Sequence, residues 1–115
     1  MMIQGKPRLL AQLQLGATAT VIYTAPAQPP NALVEITSLT ICNTDILQRK
    51  ATIRLGKGTL TAANSLLDAA IISPNTSYFL FDNAPFNIEA GVKLEGIADA
   101  AAKITVTLFG NIWSG

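Results

Sequence analysis

The chain has 115 residues, a formal net charge of +1, 50% hydrophobic residues and only 13% charged ones, against about 25% charged in typical soluble domains. That length suits one domain with its own core and needs no disulfide or metal to fold. The eight Lys and Arg are scattered rather than striped, which argues against a nucleic-acid partner, and the lack of histidine excludes His-dependent triads and removes the commonest metal ligand.

Residues 1–8, "MMIQGKPR", read as an extended N-terminal arm, and 9–115 as the folded domain. The opening stretch lacks the apolar core of a signal peptide and no run is long enough for a membrane helix, so a cytoplasmic, unprocessed product with no membrane partner is expected. The first strand, "RLLAQLQLG", alternates Leu9, Ala11, Leu13 and Leu15 against Arg8, Leu10, Gln12 and Gln14. The next, "ATATVIYT", sets Ala19, Val21 and Tyr23 against Thr18, Thr20, Ile22 and Thr24. It runs into a proline-rich turn, "APAQPPN".

In "ALVEITSLTICN" the apolar phase slips from Val34 and Ile36 to Leu39 and Ile41, which predicts a bulge or bend near Thr37 and Ser38, in a strand able to pass between sheets. After the turn "CNTD", "KATIRLG" alternates again. A helical turn is conceivable within "TAANSLLDAA", but "LLDAAIIS" and "SYFLFD" carry apolar residues on both faces, as doubly covered strands do. Turns are expected at "LGKGT", "SPNT", "DNAPFN", "EAG" and "ADAAA", and the last strands are "GVKLEGIA" and "KITVTLFG". Strands at roughly 8 to 15 residue spacing, rich in Thr, Val and Ile, predict an all-β fold: a single antiparallel β-sandwich of about eight strands, jelly-roll or Ig-like.

A two-layer sandwich needs one apolar face per sheet, and Leu10, Ile22, Phe79, Phe81, Phe109, Ile112 and Trp113 exceed that need. Leu10, Ile22, Phe109, Ile112 and Trp113 are therefore candidate subunit-interface residues, with Trp113 docking near a chain end that would otherwise fray. Tyr23, Tyr78, Phe79, Phe81, Phe86 and Trp113 are also the residues from which a sugar-stacking platform would be built.

Chemistry has few candidates. The carboxylates Glu35, Asp45, Asp68, Asp82, Glu89, Glu95 and Asp99 fall in turns or on polar strand faces, where turn-making and solvation are the ordinary roles. No calcium-loop pattern frames Asp45, Asp68 or Asp82, and "RLGKGT" is a hairpin turn rather than a phosphate loop. Cys42, the single cysteine, reads as a buried inert thiol at a strand end. No catalytic residue, cofactor or metal is expected.

The stretches "LGATATVIYTAPAQ", "LVEITSLTICNTD", "PFNIEAGVKLEGIA" and "ITVTLFG" together resemble a group of small virion proteins of tailed bacteriophages. The matching features are Tyr23-Thr24-Ala25-Pro26 at a strand end, Cys42-Asn43, the turn Ile88-Glu89-Ala90-Gly91, and a closing strand ending in Phe109-Gly110. The resemblance covers nearly the whole chain after residue 12; the chain departs from it in the proline-rich 25–31 segment and at Gly91-Val92. It implies a structural subunit located in the virion and made in the host cytoplasm: a capsid decoration protein, or a neck, tail or fibre component with a carbohydrate-binding role at the host surface. The implied partners are further copies of itself and other virion proteins such as the major capsid protein.

Overall fold

The computed structural model describes residues 8–26 and 33–113, the side chains of 33, 81–85 and 113 excepted. The expected arm lies outside the described residues except for Arg8, which opens the first strand; most of the proline-rich segment and the Trp113 side chain also lie outside them.

Among the described residues eight strands follow in order: β1 (Arg8–Gln14), β2 (Thr20–Thr24), β3 (Leu33–Asn43), β4 (Arg49–Gly56), β5 (Ser65–Ile72), β6 (Ser77–Ile88), β7 (Lys93–Ala98) and β8 (Ile104–Trp113). They form two four-stranded sheets, ordered β1-β8-β3-β6 and β2-β7-β4-β5. The pairings nest: β1 with β8, β2 with β7, β3 with β6 and β4 with β5, all antiparallel. The chain is thus one long two-stranded ribbon wrapped on itself, closed by the β3–β8 and β4–β7 pairs. This is the jelly roll, which decides between the two sandwich topologies open from sequence.

The core lies between the sheets and is aliphatic, built from Ile36, Leu39 and Ile41 of β3, Ile104, Val106 and Leu108 of β8, and Ile53 and Leu94 across the layer. Cross-strand pairs such as Leu39 with Leu108 and Ile41 with Val106 put inward residues side by side.

The phase slip in β3 is a bulge at Thr37: register shifts between Ile36 and Ser38 against both neighbours, and Val34, Ile36, Leu39 and Ile41 all end up buried. Thr37 Oγ1 donates to the carbonyl of Phe109 at 3.1 Å. The strand keeps to one sheet throughout, paired with β6 and β8 on either side of the bulge, rather than passing between layers. Where β3 and β8 approach most closely, a Cβ on Gly110 would lie 2.2 Å from the Glu35 carbonyl oxygen, so the position admits only glycine.

Bulges also correct the expected phases of the first two strands. Register shifts between Leu9 and Ala11, so Leu10 joins Ala11 and Leu13 against the core while Leu9 is turned outward. A shift between Val21 and Tyr23 puts Ile22 in the core, 5% exposed, and leaves Val21 outside. The helical turn within 61–70 is one 3-10 turn, Ala62–Asn64, capped by Thr61, after which β5 begins. β6 runs on through "DNAPFN", the expected turn; as an edge strand it tolerates Pro85, which falls between the paired residues Asp82 and Phe86.

Candidate subunit interface

The two outer faces differ in charge. On the β1-β8-β3-β6 sheet the outward positions include Gln12 and Gln14 on β1, Thr105, Thr107 and Phe109 on β8, Ser38, Thr40 and Cys42 on β3, and Ser77, Phe79 and Asp82 on β6, the last placed by its pairing with Ser38 and its side chain outside the described residues. Glu35 is the one described charged side chain on this face, and its Oε1 accepts from Asn111 Nδ2 at 3.0 Å. Gln12 Nε2 donates to Thr107 Oγ1 at 3.1 Å. Three large apolar side chains rise from this amide and hydroxyl field: Leu9 (51% exposed), its cross-strand partner Phe109 (37%), and Phe79 (59%), opposite Thr40.

The outer face of the β2-β7-β4-β5 sheet holds Lys50, Arg54, Lys93 and Glu95 instead. Lys93 pairs with Glu95 at 3.1 Å, and Glu95 is buried. Leu60 is buried in the β4–β5 connection, and Asn64 from the same connection sits over Gly56. Among the described side chains, charge is sparser on the β1-β8-β3-β6 face, which lowers the desolvation cost of a contact there without removing it.

At one end of the sandwich the loops are joined to one another by backbone hydrogen bonds. Ala102 N–H donates to Leu15, Thr44 to Lys103, Asp99 to Lys50, Asn43 to Thr76 and Asn75 to Asp45, linking the β1–β2, β7–β8, β3–β4 and β5–β6 connections. Asn43, fully buried, is the hub. Its Nδ2 faces the carbonyls of Leu47 (2.9 Å), Ile72 (3.0 Å) and Ser73 (3.3 Å), and its Oδ1 accepts from Asp45 N–H (2.9 Å). Asp45 in turn binds Arg49 through Nε (2.8 Å) and the guanidinium terminus (2.6 Å). That hydrogen bond, with the Ile46 N–H and the charges of Arg49 and Lys103, holds the Asp45 carboxyl below its ordinary value against the opposing effect of desolvation. The loop so fixed presents Ile46, 79% exposed, and Leu47, 56% exposed.

Of the sequence-derived interface candidates, Phe109 stands outward, whereas Leu10, Ile22 and Ile112 turn toward the core. Bulges redirect Leu10 and Ile22, and Ile112 shares the inward parity of its partner Val34. The Trp113 side chain is outside the described residues. Leu9, Ile46 and Leu47 were not singled out by sequence; the only signal for the last two is a pair of large aliphatics inside a turn rather than a strand. Cys42 is half-buried on the outer face between Thr105 and Ser77, not a core thiol.

Four of the seven carboxylates named above are engaged locally, Asp45 by Arg49, Glu35 by Asn111, Glu95 by Lys93, and Glu89 by Lys57 in an exposed pair at 3.7 Å. Among the described residues no three Cys, Asp or Glu gather as a metal site would require. Burial pushes the Tyr23 phenol above its ordinary value, an effect the nearby Arg8 charge offsets in part.

Compared with protein-family models, curated proteins and solved structures, the chain matches none of them.

Proposed function

We propose that the chain is a non-enzymatic structural subunit of a bacteriophage virion, a capsid decoration protein that associates with copies of itself on the particle and rests on other virion proteins such as the major capsid protein. The observation that carries this reading is the outer face of the β1-β8-β3-β6 sheet, with Leu9, Phe109 and Phe79 exposed on a field of Gln, Thr and Ser. Charge depletion with aromatic and aliphatic anchors is the composition of an interface centre. The jelly roll is an architecture of viral capsid domains, and the strand-end and turn motifs resemble phage virion proteins; both supports are analogies of fold and motif. The test is the mass of the purified chain over a concentration series, together with its presence in washed virions. Association in solution and retention on particles are expected; a chain that stays monomeric and is lost on washing overturns the reading.

A second reading, a neck, tail or fibre component that binds host carbohydrate, is favoured by the same face, because the Phe79 and Phe109 rings lie among hydroxyl and amide groups suited to sugar hydroxyls. A glycan array that detects no binding removes it.

A further inference from the structure

On the outer face of the β2-β7-β4-β5 sheet one row of residues crosses all the strands: Val21 on β2, Glu95 on β7, Arg54 on β4 and Ser65 on β5 are successive cross-strand partners. A register shift between Ile53 and Arg54 brings Ser65 opposite Arg54, and side chains so paired start about 5 Å apart. This end of the row is sheltered, with Arg54 and Ser65 both half-buried. The β4–β5 connection folds back beside it, over the next outward position of β4, where a Cβ on Gly56 would lie 2.9 Å from Asn64 Nδ2 and 3.0 Å from Leu60 Cδ2. Leu60 is buried, and Thr61 N–H donates to Asn64 Oδ1 at 2.9 Å, which fixes the amide.

The fold leaves the donors here unused. Among the described residues Arg54 makes no hydrogen bond or ion pair, and its buried Nε has no partner. The buried Ser65 Oγ has none either, and Asn64 Nδ2 has no acceptor among the described residues. A guanidinium can only donate, and a buried donor without an acceptor is costly, so the pair of orphaned atoms calls for an acceptor from outside the chain.

The charges on this face decide which acceptor fits. Glu95, the carboxylate of the row, is held by Lys93 at 3.1 Å, and the two cancel. Lys50 is exposed two outward positions back along β4, Asp68 is exposed three residues beyond Ser65 on β5, and Lys57 on the connection pairs with Glu89. Arg54 is thus the one half-buried cation among the described residues without a counter-charge. A single negative charge balances it, whereas a second would meet the repulsion of Glu95 and Asp68. A planar carboxylate also matches the parallel N–H bonds along a guanidinium edge.

We propose that Arg54 and Ser65 bind a small carboxylate beside the β4–β5 connection, its oxygens on the Arg54 Nε edge and the Ser65 hydroxyl, with Asn64 Nδ2 at the rim. The site lies on the opposite sheet from the face that carries the assembly reading and stands or falls independently of it.

The experiment titrates the full chain at neutral pH and constant ionic strength with acetate, and separately with inorganic phosphate, following proton–nitrogen correlation spectra. Acetate is expected to shift the Arg54 Nε–H and the Asn64 and Ser65 amides saturably, at concentrations on the order of millimolar. Arg54→Gln is expected to abolish the shifts; Arg54→Lys, which keeps the charge without the fork, and Ser65→Ala are each expected to weaken binding about 10-fold. Lys50→Gln, a cation removed from the same face, is expected to leave the affinity unchanged, and thermal unfolding verifies that each variant is folded. Shifts that are absent or fail to saturate overturn the proposal, as does equal binding by Arg54→Lys and Ser65→Ala, or a loss in Lys50→Gln as large as theirs. Phosphate bound more tightly than acetate overturns the assignment to a carboxylate.

Discussion

Replacing Asn43 by alanine tests whether the loop end is organised from within. The substitution removes bonds to the carbonyls of Leu47 and Ile72 and from the Asp45 N–H, and it strands the Ile72 carbonyl, whose bond to Asn43 is buried. Three bonds at about 1 kcal/mol each, with about 1 kcal/mol more for the stranded acceptor, give a loss of about 4 kcal/mol. That is a large part of the roughly 5 to 15 kcal/mol that holds a domain together. Urea denaturation at pH 7 is the assay, with the midpoint falling while the slope is unchanged.

Asn43→Asp sharpens the test, because it keeps the shape and replaces the donor with a carboxylate facing three carbonyls. The charged form is disfavoured in the fold, so the folded pKa rises above the unfolded value of about 3.9. Stability from the neutral form is then complete below the unfolded value and lost as pH rises through the folded one. The gap between this variant and the unmodified chain is expected to narrow on acidification. A loss below about 1 kcal/mol for Asn43→Ala, or a gap that ignores pH, would refute the hub role.

Asp45 has a depressed folded pKa, so its contribution is present above the unfolded value and is lost as pH falls through the folded one; Asp45→Asn is expected to flatten the denaturation midpoint against pH in that acid window. Ala69 adopts φ 47° in a β5 bulge, where its N–H donates to Thr52 Oγ1. Ala69→Gly relieves a left-handed conformation at some entropic cost and is expected to raise stability by about 0.5 kcal/mol in urea titration. Gly110→Ala drives a methyl into the Glu35 carbonyl, and a loss of about 3 kcal/mol or more, read as a collapsed thermal midpoint, is expected.

Strand alternation made most of the fold legible. The bulge in β3 was readable because Val34 and Ile36 on one parity and Leu39 and Ile41 on the other leave one residue to absorb. The bulges at Leu10 and Ile22 were not: these strands are short, and an apolar residue on each parity does not reveal which one is extra. The far half of β6 was hidden by Pro85, whose usual meaning changes at a sheet edge. For the candidate contact surface, Phe109 and Phe79 were visible as surplus apolar residues, but Leu9 was masked by the β1 bulge. Ile46 and Leu47 lie where periodicity carries no information, and Asn43 binds carbonyls 29 and 30 residues away that no local pattern connects to it.

Because β8 is the eighth strand along the chain yet lies between β1 and β3, the sheet that contains it is incomplete until that strand is available. During synthesis β1 has no partner at first, and β3 exposes one edge after β6 has formed. The domain therefore closes late and all at once, over sequence separations that make for slow folding. In the interval the nascent chain carries sticky, unzipped β segments, a hazard that rises with expression level and with any delay in releasing its last strand.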